Sequence, residues 1–314
     1  ADCGHRCRTM KFVILLTMIF RPILGLMLAG LLPLSVAAQP NVAVSVAPVH
    51  SLVSGVMAGV AEPVLLYPAT RSPHIQPLSP SAVKSMVNSD LVVRIGVGYE
   101  VALDKIIDNM ENHNLVDLVS DKSGIILLGA RAGGLWDSRH AGDAIKTDGS
   151  GTGLGYLQID PHIWLSTTNA AEIVKLVGQK LIQVDAGNSA IYAANMKRML
   201  QRLDTFRLHL QRRLDIIKDR PYLVLHDAYQ YFEHEYDLAV VGSVSVDAQR
   251  MPGARRIREI KQAISSEGIT CIFLEPQLSR SMVETLANDM SMTVGELDPL
   301  GTGIDPGAEL WFEI

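Results

Sequence analysis

Cysteine is scarce. The chain has three in 314 residues and none is arranged as Cys-x-x-Cys, which excludes a disulfide scaffold and a thiolate metal site built on such pairs. Basic charge is in short supply too. Lys and Arg number 28 against 33 Asp and Glu, a net charge of −5, whereas a nucleic-acid binder carries a basic footprint. Charged residues make up only 19% of the chain and hydrophobic ones 48%, so no long solvated tail is present. What is there suffices for about two domains with real cores.

The longest apolar stretch is Phe12 to Ala38, broken at Arg21-Pro22. A membrane span needs about 20 apolar residues, so a retained anchor is one reading. The stretch is better organised as a signal peptide: Met18 to Pro22 is a short positive n-region, Ile23 to Leu34 an apolar h-region, and Val36-Ala37-Ala38 a small-residue cleavage site before Gln39. Met10-Lys11 is a second start, and Ala1 to Thr9, with Cys3 and Cys7, reads as translated upstream sequence. Residues 1–38 contribute +3 of the net charge, so the exported chain carries −8 and keeps Cys271 as its lone cysteine. No cysteine stands at the cleavage site to take a lipid anchor.

From residue 39 onward, short apolar runs alternate with helical patterns, as parallel α/β units do. The runs predict strands at Val42–Val46, Val64–Tyr67, Leu91–Ile95 and Ile125–Leu128, then at Tyr222–Leu225, Leu238–Val244, Thr270–Leu274 and Thr293–Leu297. Between the two sets, Met196, Met199, Leu200, Leu203, Phe206, Leu210, Leu214 and Ile217 recur at spacings of three and four, with Lys197, Arg198, Arg202, Arg207 and Arg212 mostly off the stripe. This predicts a helix over 188–217, about 45 Å long, acting as a strut between two α/β lobes; an ordinary long helix within one domain is the plainer reading. The expected organisation is a segment 1–38, an N-terminal lobe 39–187, the linking helix 188–217 and a C-terminal lobe 218–314. Residues 131–155 are Gly- and Asp-rich without a period. Gly149, Gly151, Gly153 and Gly155 meet neither the dinucleotide nor the P-loop spacing, so a surface loop is expected.

Four polar segments stand at strand ends or helix starts, around His74, His162, His226 and Asp298. In open α/β sheets ligands bind beyond the carboxyl ends of the strands, so facing lobes would turn these residues into one cleft. Three imidazoles and a carboxylate suit Zn²⁺ in a tetrahedral site. Taken singly, each histidine reads more readily as a hydrogen-bonded structural or surface residue, and spacing alone does not overturn that reading. His50 lies in the first strand–helix turn and reads as core; His113, His140, His209 and His234 stand in polar contexts. Trp164 and Tyr229 read as packing beside the candidate ligands, and Asp227 as a helix cap.

Six segments, in this order, resemble a known family: SVAPVHSLVSGVM (45–57), SPHIQPLSPSAVKSMVNSDLVVRIG (72–96), DPHIWLS (160–166), VLHDAYQYFE (224–233), FLEPQ (273–277) and GELDPLG (295–301). The chain resembles the periplasmic zinc-binding component of bacterial ABC zinc importers, of the metal-binding class of solute-binding proteins, from about Val42 to Gly307. The resemblance implies two α/β lobes, each with a small parallel sheet flanked by helices, joined by one long helix, with a metal site in the cleft. It maps ligands onto His74, His162, His226 and Asp298, and makes Glu275 a residue that orients a ligand or closes the cleft. A histidine at 226, where manganese-binding relatives place a carboxylate, marks the zinc type, in keeping with the preference of Zn²⁺ for imidazole and of Mn²⁺ for carboxylate.

The implied protein is a periplasmic monomer, not an enzyme, that captures Zn²⁺ and delivers it to a membrane permease without binding nucleic acid. Three features depart from the family pattern. Pro73 stands where some zinc-type members have Glu, which leaves Asp298 or water as fourth ligand; the 131–155 loop holds only His140; and the chain as given reaches Ile314 without the C-terminal helix whose Cys would pair with Cys271. Other classes remain open at this point: a manganese- or iron-binding relative, an adhesin on the same scaffold, or a zinc hydrolase with water in the fourth position.

Overall fold

The computed structural model describes residues 39–70, 73, 77–110, 114–120, 123–131, 135–136, 159–244 and 252–314. The signal-peptide reading of 1–38, the ligand candidate His74, His113, and most of the 131–155 loop with His140 lie outside the described residues. Residues Gln39–Ile314 form one compact unit.

Two four-stranded parallel sheets organise this unit. The first contains β1 (Val42–Val46), β2 (Val64–Tyr67), β3 (Leu91–Arg94) and β4 (Leu115–Asp117) in the order β2-β1-β3-β4. The second contains β5 (Tyr222–Val224), β6 (Val240–Ser243), β7 (Cys271–Leu274) and β8 (Thr293–Glu296) in the order β6-β5-β7-β8. Every ladder is parallel. The orders are the same, so each sheet reverses direction between its two central strands, where a ligand crevice opens. β1 is buried along its whole length, which is why its sequence, Val-Ala-Val-Ser-Val, has no charged residue.

Helices cover both faces of the first sheet. α1 (Ala47–Met57) follows β1 directly, with a proline in its first turn, where the missing N–H costs nothing. It is buried all round, as its nearly continuous apolar sequence requires. α2 (Pro80–Val87) and α3 (Val101–Ile107) lie on the opposite face, where their Met86 and Leu103 cluster with Ala43, Leu66 and Val92 of the strands. α4 (Thr167–Val184) is capped by Ser166, whose Oγ accepts from Asn169 N at 3.1 Å. After a 3₁₀ turn at Ala186–Asn188 comes α5 (Ser189–Leu214), 26 residues or about 39 Å of helix.

The second sheet is flanked by α6 (Gln230–Tyr236), α7 (Ala254–Glu267) and α8 (Ser281–Met290), and the described chain finishes in α9 (Leu310–Glu313). α7 stops at Gly268, whose φ of 64° is a left-handed cap that glycine adopts without strain.

Two expectations need correction. Ile125–Leu128 is extended but belongs to no sheet. Its backbone bonds are not those of a ladder: Ile126 exchanges both of its bonds with the Asn169 amide, at 2.9 and 3.0 Å, Leu128 N donates to Tyr231 Oη at 3.0 Å, and Leu128 O accepts from Asp160 N at 2.9 Å. The fourth strand is instead Leu115–Asp117, paired with β3, a run too short and too polar at its end to stand out in the sequence. The long helix ends at Leu214 rather than 217, and its stripe is buried only at Tyr192, Asn195, Met199 and Leu203. Beyond Phe206 it has left the first core, and Ile216 is 79% exposed.

The chain's last stretch returns to the first core. Leu300 and Trp311 are buried in it. Trp311 N donates to Ser51 Oγ at 3.0 Å, and its indole N–H to the carbonyl of Trp164 at 2.8 Å. Cys271 is a free thiol, half-buried in β7.

Candidate metal centre

His226 stands two residues after β5 and Glu275 immediately after β7, at the carboxyl ends of the two central strands and therefore at the crevice of the second sheet. The β5–β7 ladder continues past Val224 through Leu225 N, which donates to Phe273 O at 2.8 Å. This rigid continuation places the imidazole and the carboxylate side by side, with His226 Nδ1 3.4 Å from Glu275 Oε1. His162 reaches the same place from the other side. It follows Asp160-Pro161 and opens a 3₁₀ turn, Ile163–Leu165.

Asp160 Oδ1 accepts from His162 N at 3.0 Å and lies 2.7 Å from its Nδ1. Tyr231 holds the aspartate in place by donating to its carbonyl at 2.7 Å. The two imidazoles meet with ring centroids 5.1 Å apart and planes at 76°.

Each imidazole thus has a carboxylate on Nδ1, which leaves Nε2 as the electron-pair donor, the arrangement typical of metal-bound histidine. Their charge states differ. Burial, reinforced by the positive charge of His226, holds His162 well below the usual histidine range, so it is neutral. Burial also pushes the Asp160 carboxyl up to about 7. His226 is buried too, but the carboxylates of Glu275, Asp227 and Asp160 together outweigh that cost and raise its pKa above 6.5.

Asp298 is held in a turn. Its Oδ1 accepts from Gln277 Nε2 at 2.7 Å and from Leu300 N and Gly301 N, both at 3.0 Å, while Oδ2 accepts from Thr302 N. Thr302 Oγ1 in turn donates to Ala69 O at 3.1 Å. The turn therefore ties the second lobe to the backbone just ahead of the segment that contains His74. The structure brings His162 and His226 together. Among the described residues, no three His, Cys, Asp or Glu side chains converge as a metal-holding group.

A family model for the periplasmic component A of zinc-uptake complexes matches residues 42–314. The chain belongs to this family. The high-affinity zinc uptake system protein ZnuA of Brucella abortus (strain 2308) is 33% identical over 308 residues, covering 90% of this chain and 91% of the relative. That of Haemophilus ducreyi is 28% identical over 278 residues, covering 88% and 89%. A crystal structure of ZnuA has the same fold, with a TM-score of 0.71 at 23% identity over 88% of this chain and 94% of that one.

For a member of the zinc-uptake component A family, the surroundings of the imidazoles are as informative as the imidazoles. Trp164 packs against His162 at 5.4 Å between centroids and donates from its indole to Pro299 O at 2.8 Å. Tyr229 donates to Leu297 O at 3.0 Å. Both pack beside the site, as expected. Asp227 is not a helix cap: α6 has Tyr229 at its N-cap and no side-chain cap bond. Asp227 pairs with Arg131, which also binds Glu233 at 2.7 Å and lies over the Trp136 ring. His50 is core, with Nε2 2.8 Å from Pro63 O, and His209 and His234 are exposed.

Sequence reasoning passed over Asp160, Arg131, Gln277 and Tyr99. Only Asp160 had a local signal, since an acid two residues ahead of a histidine can fold back on its ring.

Proposed function

We propose that the protein captures Zn²⁺ between its two lobes and hands it to the membrane permease of an ABC importer, working as a periplasmic monomer after cleavage before Gln39. The proposed ligands are His74, His162, His226 and Asp298, with residues 39–187 and 218–314 as the two lobes and 188–217 as the link. The observation that carries the reading is the His162–His226 pair with its carboxylates. Two imidazoles bound to one tetrahedral ion at about 2.0–2.1 Å have ring centroids about 5 Å apart; these stand at 5.1 Å. Asp298 would complete the set through Oδ2, which accepts one of its four hydrogen bonds, and this part of the proposal needs the 298–302 turn to shift toward the imidazoles on binding.

Binding rather than turnover is inferred from the chain's own residues. His-Glu-x-x-His is missing from the sequence, and Asp160 and Glu275 lie against the Nδ1 atoms of the imidazoles, where they orient ligands and do not act as a base toward water. The test is native mass spectrometry of the metal-free protein offered equimolar Zn²⁺ and Mn²⁺. One retained zinc is expected; retained manganese would move the protein to the neighbouring transport class, and ester, peptide or phosphate turnover with zinc would make it an enzyme.

A pH dependence follows from the opposite shifts of the two histidines. Zinc needs both imidazoles neutral. His162 already is, whereas the raised pKa of His226 means that it takes up a proton at a higher pH than an ordinary histidine does. Zinc affinity is therefore expected to begin falling at a higher pH than an ordinary histidine would give, and to steepen to about tenfold per pH unit below the pKa of His226, the limiting slope for one competing proton. Chelator competition between pH 7.5 and 5.5 measures this, and a flat profile would count against histidine ligation.

A further inference from the structure

The first sheet brings no described ligand to its own crevice, between the carboxyl ends of β1 and β3; it brings Tyr99. The turn after β3 that presents this residue is clamped from several sides. The buried Glu100 carboxylate accepts from Ile95 N at 3.0 Å and Gly96 N at 3.1 Å. Asp104, itself bound by the buried Arg94 at 2.6 Å, accepts from Gly98 N at 3.1 Å. Gly96 has φ 155°, and a Cβ there would stand 3.1 Å from the Val119 Cβ, so the tight path excludes larger residues.

The Tyr99 ring, itself buried, is edge-on to His162 at 6.1 Å and tilted against Trp164 at 6.0 Å. Burial, followed by the charges of Glu100, Asp160 and Glu275, drives its hydroxyl well above the usual tyrosine range. The ring therefore walls the His162 side of the imidazole pair.

We propose that Tyr99 is a specificity-determining residue, the inner wall that denies the bound ion extra water ligands and so keeps it four-coordinate. This rests on the zinc-site reading above. Zn²⁺ is content with four ligands, whereas Mn²⁺ favours six, largely oxygen. A void left by the ring would open beside His162, whose Nδ1 lies against Asp160, and the other oxygen of that aspartate, Oδ2, is buried with no hydrogen bond assigned to it. A polar void of that kind fills with water, and water on the ion raises its coordination number in favour of manganese.

The test uses the full chain, metal-free, with Co²⁺ as the spectroscopic probe and Zn²⁺/Mn²⁺ competition as the second readout. The wild type is expected to give the intense visible absorption of four-coordinate cobalt, and Tyr99→Phe, which keeps the wall, to match it. Tyr99→Ala is expected to give the weak absorption of a higher-coordinate ion and to lower the zinc-to-manganese affinity ratio by about tenfold or more, the scale of changes next to metal ligands. If Tyr99→Ala does not fold by circular dichroism, Tyr99→Leu, which leaves a smaller void, is measured instead with the same expected direction. A folded variant with the wild-type spectrum and ratio overturns the inference, as does a wild type whose cobalt is already six-coordinate. A wild type that binds no zinc overturns the zinc-site reading, and this inference with it.

Discussion

Replacing His226 by alanine is expected to weaken zinc binding by more than about 100-fold, beyond the 10–100-fold that loss of an outer partner of a metal ligand costs. The side chain is the second lobe's imidazole in the pair, with its ring centroid 5.1 Å from that of His162. His162→Ala should act alike, and Glu275→Gln, which removes the charge beside His226 Nδ1, should cost about tenfold. His50→Ala is the contrast. That histidine is as buried as His162 but bonded to Pro63 O, so its loss should lower stability and leave zinc affinity alone.

Competition with a chelator of known affinity measures all four variants. Melting curves give a second view, because zinc at 1,000 times its Kd stabilises the folded chain by about 4 kcal/mol and that increment should vanish in His226→Ala. Wild-type affinity in His226→Ala would remove this residue from the ligand set.

The largest stability effect outside the site is expected at Trp311. The side chain is buried in the first core beside Phe206, at 5.7 Å between centroids, although it follows the whole second sheet in sequence. Truncating a buried Trp to alanine costs about 3–5 kcal/mol. At roughly 2–4 °C per kcal/mol for a chain of this size, the metal-free protein should melt about 10 °C lower. The lost bond from its indole to Trp164 O also loosens the residue that packs on His162, so zinc affinity should fall somewhat as well. Differential scanning calorimetry without metal separates the two effects, and an unchanged melting temperature would contradict the packing described for α9.

Seven of the eight strands were legible as short runs, most of them rich in Val, Leu, Ile or Phe. The exception, Leu115–Asp117, pairs through backbone groups that a three-residue segment does not advertise. Ile125–Leu128 misled for the converse reason. Three of its apolar side chains are packed, Ile125 buried and Leu127 and Leu128 against the core, yet burial alone does not make a strand when Asn169 and Tyr231 take hydrogen bonds from its backbone.

Local patterning thus determined the alternation of strands and helices, the long helix, and the family, because periodicity and motif order are properties of neighbouring residues. Only the tertiary structure decided which residues stand around the metal candidates. His162 and His226 are 64 positions apart in sequence and 5.1 Å apart in space. Tyr99, Asp160 and Glu275 join them through turns at the ends of separate elements, and the last helix crosses to the first core. Nothing in local propensity encodes those meetings, since they follow from two sheets with the same strand order presenting the carboxyl ends of their central strands to one crevice.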